Sequence, residues 1–265
     1  MTRNIRSVAR LAMGITAVAA FTLGAVPATA FADTTAADTT TYDAAPAGST
    51  TDTVTGTSDG AGGCTFTLTT SLAPGSTVKR VDELSYSAST CTSKLAYTSG
   101  TYAAADTADA SNVSNSGLVA STLSGTAPAV TAATTIHSAG YLNSWFRDPA
   151  YITVNSVRNS TDWHWNGSCT VSPVYGSYHY TWFAGWVKKS SNWNNYYTCY
   201  QSTSSSYVHY HDGAFCAFTD TEVYYNRNTV HGRYNGYLVG NVSWYKSGHC
   251  SGLLSFHDYL KRTLN

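Results

Sequence analysis

Apolar residues in this chain recur at every second position over long stretches, and that period predicts strands rather than helices. Cys64, Phe66 and Leu68 alternate with threonines. After a turn at Ala73, Pro74 and Gly75 come Val81, Leu84 and Tyr86, and a third run holds Cys91, Leu95 and Tyr97. The three runs predict a meander over 63–103 whose first and third strands start at the same end, which brings Cys64 near Cys91. Beyond Tyr141 the chain becomes a succession of short aromatic segments separated by Gly, Asn, Ser and Asp. These predict strands at 150–157, 161–171, 177–187, 194–201, 206–211, 214–219, 221–226 and 230–239. Only the tail from Ser251 to Thr263 has partly helical spacing, through Leu253, Leu254, Phe256 and Leu260. It predicts one short terminal helix or an irregular closing segment. No long repeat stands out, which counts against a propeller or solenoid.

Composition divides the chain further. Residues 33–62 are dominated by Thr, Ala, Asp, Ser and Gly with no apolar period, and read as a disordered leader. Residues 104–140 return to that mixture and read as a linker, although Leu118, Val119, Leu123, Val130 and Ile136 suit an edge strand. Residues 141–265 hold all seven tryptophans and sixteen of the twenty tyrosines, with nine bases against six acids; residues 33–140 carry nine acids against three bases. The expected fold is mainly β. A disulfide-bonded antiparallel sandwich or barrel at 141–265 follows a small stapled β unit at 63–103.

The first 32 residues read as an export signal. Arg3, Arg6 and Arg10 precede an apolar run from Leu11 to Val26, and small residues at Ala28 and Ala30, or at Ala30 and Ala32, offer a cleavage site. The expected protein is secreted and extracellular, with no membrane span after signal removal. An even set of six cysteines in an exported chain argues for three disulfides and no free thiol. Cys64 and Cys91 stand apart from Cys169, Cys199, Cys216 and Cys250. Three pairings of those four remain open on spacing, with Cys169–Cys199 and Cys216–Cys250 as the expectation. Without the signal the formal charge falls from zero to about minus three, so no field attracts nucleic acid.

The densest constellation of candidate chemistry is aromatic. Trp163 and Trp165 share one face of a strand, with Asp162 and His164 on the other, and Tyr178, Tyr180 and Trp182 share a face of the next. Flat rings bordered by hydrogen-bonding groups suit sugars, because C–H faces stack while hydroxyls find polar partners. The same pattern also builds a sandwich core. Tyr196, Tyr197, Tyr200, Tyr207 and Tyr210 are so closely spaced that some ring must reach the surface. His209 and His211, two apart and followed by Asp212, share a face as metal ligands would, yet no third ligand is evident and no metal is expected. Carboxylates for acid–base work are limited to Asp148, Asp162, Asp212, Asp220, Glu222 and Asp258, of which Asp212, Asp220 and Glu222 can converge around a hairpin. Gly56, Ser58 and Gly60 match the hydrolase elbow pattern, but in the leader rather than between strand and helix. No phosphate loop, dinucleotide fingerprint or calcium loop occurs, and no cofactor is expected.

The run from Ser247 through His249, Cys250 and Gly252 to Leu254, together with the Trp163/Trp165 strand and Cys169, resembles a type of exported, tyrosine-rich β protein of actinobacteria. The Ser87–Cys91 stretch resembles their stapled β segments. The resemblance implies a bacterial extracellular protein and brings no activity with it. The leading expectation is an exported non-enzymatic binding protein that recognises glycan or cell-envelope polymer through Trp163, Trp165, Tyr178, Tyr180 and Trp182. Two alternatives stand beside it: a secreted structural or protein-interaction module with an exported protein partner, and a secreted hydrolase using Asp212 or Glu222 with His209 or His211.

Overall fold

The structure, a computed structural model, describes residues 39–99, 121–122, 135–182, 185–216 and 219–263. The expected signal at 1–32 and most of the expected linker, 104–120 and 123–134, lie outside the described residues. In chain order the strands are β1 (Thr39–Thr41), β2 (Thr50–Thr55), β3 (Thr57–Ser58), β4 (Cys64–Leu72), β5 (Val78–Ser87), β6 (Thr92–Ser99), β7 (Ser121–Thr122) and β8 (Ile136–Arg147). They continue as β9 (Thr153–Trp165), β10 (Thr170–Thr181), β11 (Val187–Tyr197), β12 (Gln201–Cys216), β13 (Thr219–Arg233), β14 (Leu238–Gly248) and β15 (Ser255–Thr263). No helix among the described residues is long and apolar enough to cross a membrane.

Two antiparallel sheets share these strands. A nine-stranded sheet runs β2-β6-β5-β15-β8-β9-β10-β7, with β1 also on β5; a six-stranded sheet runs β11-β12-β13-β14-β4-β3. They face each other as a sandwich around one core. That core takes Phe66, Leu68, Val242 and Trp244 from the six-stranded sheet and Val81, Leu142, Val157 and Phe256 from the nine-stranded sheet. Its centre is a stack in which Trp244 lies between Phe66, at 5.3 Å and 23°, and Phe256, at 3.9 Å and 4°.

The 63–103 segment does not form a separate meander. Its β4 pairs with β14 in one sheet, whereas β5 pairs with β6 and with the C-terminal β15 in the other. The 63–103 and 141–265 segments therefore touch along two strand pairings. The physical reason is burial: β4 is apolar on one face only and finds its cover in the aromatic half of the chain. Part of the expected disordered leader is also ordered, because Thr39–Thr41, Thr50–Thr55 and Thr57–Ser58 pair with β5, β6 and β4. Exposed threonines satisfy an edge through backbone bonds without needing apolar burial. The tail is a correction as well: a 3-10 turn at Ser251–Leu253 precedes strand β15. There the alternation of Leu254, Phe256 and Leu260 overrides the helical reading, since all three are fully buried on the core side.

All six cysteines are paired, as Cys64–Cys91, Cys169–Cys199 and Cys216–Cys250. The first joins β4 to the β5–β6 turn and the second joins the β9–β10 turn to the β11–β12 turn. Each of these two bridges ties one sheet to the other.

Part of the interior is polar. Asn159 Nδ2 donates to the Asn228 carbonyl and Oδ1 at 2.7 Å, Asn228 Nδ2 donates to Ser144 Oγ at 2.7 Å, and Ser206 Oγ donates to Asn159 Oδ1 at 2.8 Å. Buried Tyr210 and Tyr225 send their hydroxyls to Ser156 O and Asn155 Oδ1. The unusual tyrosine content thus serves the interior too, each ring filling volume while its hydroxyl closes a cross-sheet bond.

Candidate functional site

The face of the nine-stranded sheet turned away from the core carries the richest chemistry. In antiparallel pairing, opposite residues share a face, and the registers set Tyr178 opposite Arg158, Arg158 opposite Asn143, Trp145 opposite His257, and His257 opposite Asp82. A row of groups therefore crosses five strands, from β10 through β9, β8 and β15 to β5. At one end Tyr180 is exposed and Trp182 half-buried, with their rings 4.3 Å apart. Next, the Arg158 guanidinium lies 4.6 Å from the Tyr141 ring and 6.0 Å from that of Tyr178, and Arg158 Nε bonds Asn143 Oδ1 at 3.4 Å. Burial raises the Tyr178 hydroxyl above its ordinary range, and Arg158 opposes that shift. Tyr141 meets Tyr259 edge-on at 5.5 Å, and Tyr259 meets Trp145 edge-on at 5.4 Å.

At the other end of the row lies a hydrogen-bonded chain. Ser255 Oγ is 2.8 Å from His257 Nε2, and His257 Nδ1 is 2.8 Å from Asp82 Oδ1. Arg80 also bonds that Asp82 oxygen, at 2.7 Å. Trp145 stacks on the His257 ring at 5.6 Å and 16°, which fixes its plane. Burial works against the Asp82 charge, yet the bonds from His257 and Arg80 outweigh it and hold the carboxyl below its ordinary range. Burial holds His257 below its ordinary range against the pull of Asp82, so the imidazole is neutral at neutral pH. A cavity of about 220 Å³ adjoins Ser255, lined also by Tyr42, Asp43, Asp148, Pro149 and Leu253.

The outer face of the six-stranded sheet carries a second cluster. His209 and His211 do share a face there, and Asp212, buried on the opposite face, accepts from the Ala214 amide. His211 Nε2 lies 3.0 Å from Asp220 Oδ1, and His209 Nε2 lies 3.7 Å from Glu222 Oε1. His209 stacks flat on Tyr224 at 3.9 Å, and the Tyr224 hydroxyl donates to Glu222 Oε2 at 3.0 Å. No group of three or more metal-ligating side chains comes together among the described residues.

The structure separates the five expected ligand-binding residues. Trp163 is fully buried, its indole N–H donating to the Arg233 carbonyl. Trp165 is half-buried against the core and donates to Ser138 Oγ. Both point into the sandwich, whereas Tyr178 and Tyr180 point away from it and Trp182 follows them at the strand end. Sequence reasoning missed Tyr141, Arg158, Ser255, His257 and Asp82. The spacing of Ser255 and His257, two apart, was the available signal for the last group, hidden by the helical reading of the tail. The partner strand that supplies Asp82, some 170 residues away, has no sequence signal. Comparison with protein-family models, with curated proteins and with solved structures finds no match.

Proposed function

We propose that this is an exported binding protein whose Tyr141–Arg158–Tyr178–Tyr180–Trp182 row takes up glycan or cell-envelope polymer. The observation that carries the reading is the Arg158 guanidinium set between two tyrosine rings on a sheet face turned from the core. Rings offer stacking surface to sugar C–H faces, and half-buried Ser160 on the same face offers a hydroxyl. A guanidinium adds a fixed, bidentate donor for carboxylate or phosphate groups along such a polymer. Three closed disulfides and the basic-then-apolar start support an extracellular setting.

The test is depletion of oxidised protein, residues 33–265, by peptidoglycan, chitin, cellulose and soluble glycans. Saturable binding is expected, weakened about fivefold by Tyr180→Ala and more by Arg158→Ala, with melting temperature unchanged. Binding indifferent to both substitutions overturns the assignment of this row. Depletion by no polymer, with a protein retained from culture supernatant, moves the reading to a protein-interaction module.

A further inference from the structure

We propose that Ser255, His257 and Asp82 form a nucleophile–base–carboxylate chain that takes a short acyl group from a neutral or cationic ester. The assignment starts from strand geometry. A period of two places Ser255 and His257 on the same face of β15, and register places Asp82 of β5 directly beside His257. The Nδ1 proton is directed to Asp82 Oδ1, which leaves Nε2 as acceptor for the Ser255 hydroxyl, both at 2.8 Å. That tautomer lets the imidazole remove the serine proton, and the ionised carboxylate steadies the imidazolium that results. The stacked Trp145 and the Arg80–Asp82 pair restrict both partners. None of these groups is needed for polymer binding at the Tyr178 end of the row.

The substrate class follows from the cavity beside Ser255. At about 220 Å³ it accommodates an acyl group of a few carbons, with Pro149 and Leu253 as apolar lining. Asp43 and Asp148 line it too and disfavour an anionic acyl group. Arg147 sits directly opposite Ser255 on β8 with its guanidinium 5.7 Å from the centre of the Trp145 ring, and its charge acts on this end of the row, where the oxyanion develops. Ser255 Oγ bonds the carbonyl carbon as its proton passes to His257 Nε2, and the C–O bond to the alcohol breaks. The alcohol leaves with that proton. Water then attacks the acyl-serine by the same transfers, releasing the carboxylic acid and restoring the hydroxyl.

The test uses the intact oxidised protein and a fluorophosphonate, in which serine displaces fluoride at phosphorus. Intact mass and peptide mapping are expected to show one adduct, on Ser255, absent in Ser255→Ala and slowed at least about 100-fold in His257→Gln. Because His257 is buried, the pH profile of the unaltered protein gives a second readout, taken over the range in which its circular dichroism stays native. The charged and titratable groups facing His257 are Asp82 and Arg80 from β5 and Arg147 from β8, with Asp43 across the adjoining pocket. With His257 held low, labelling is expected to be level above neutral pH and to fall in acid. No adduct, an adduct that persists in Ser255→Ala, or a rate indifferent to acid overturns the proposal. Labelling is read without polymer, so its failure leaves the binding reading standing, and the converse holds.

Discussion

Single residues in this sandwich carry unusual weight because several charged and amide groups lie inside it. Lys246 and Glu83 are fully buried and bond at 2.8 Å. Lys246 Nζ also donates to the Leu254 carbonyl at 3.0 Å and lies 3.8 Å from the centre of the Tyr86 ring. Glu83 in turn accepts from the Phe256 amide and from Ser93. Lys246→Met leaves a carboxylate without its cation and is expected to cost about 3–5 kcal/mol in urea unfolding. Adding Glu83→Leu should recover only part of that loss, since it removes the orphaned charge but leaves the Phe256 amide and the Ser93 hydroxyl without their acceptor. Asn228→Ala takes the amide donor from buried Ser144 and one of two acceptors from Asn159, and an expected loss of about 1–3 kcal/mol is readable in the same titration.

Among elements, the cross-sheet contacts decide stability. Trp163 on β9 packs against Gly232 on β13 so closely that a Cβ at 232 would meet the indole ring. Gly232→Ala is therefore expected to destabilise by about 1–3 kcal/mol, and Trp163→Ala by about 3–5 kcal/mol, whereas Tyr180→Ala on the opposite face leaves melting unchanged. That contrast separates core tryptophan from surface tyrosine in one thermal experiment. The Cys169–Cys199 bridge closes a loop with a sequence separation of 30 and links the two sheets at their turns. Replacing both cysteines by serine is expected to cost about 3 kcal/mol through the freed unfolded chain.

At the scale of the whole molecule, buried ionisable groups set opposing pH dependences. Burial pushes His179 and His231 down to about 4. Their unfolded value is near 6.5, so the stability they contribute is fully present above that pH and is lost as pH falls through it towards 4. Asp258 runs the other way. Neither of its carboxyl oxygens has a hydrogen-bond partner, and burial, reinforced by Asp82, pushes it up to about 8. Its contribution is present below about pH 4 and is lost as pH rises through 8. Asp258→Asn is expected to raise the melting temperature by several degrees at pH 8 and hardly at all at pH 4. A difference that is constant across this range would show that Asp258 is ionised throughout.

Period-two alternation determined the β class and the buried face of β4, and an even count of six cysteines pointed to three disulfides, because both depend on local pattern and chain chemistry. Sequence also placed His209 with His211, and Tyr178 with Tyr180, on common faces, since a strand fixes that relation within itself. Which face looks inward is a different matter. Trp163 and Trp165 carry the same pattern as a platform, and only the packing of β9 against β13 turned them into core. The insertion of β15 between β5 and β8 likewise decided the partners of Ser255 and His257, because strand order is set by which apolar faces find cover across the whole chain. Asp82 reaches His257 only through that pairing, which a reading confined to neighbouring residues does not contain.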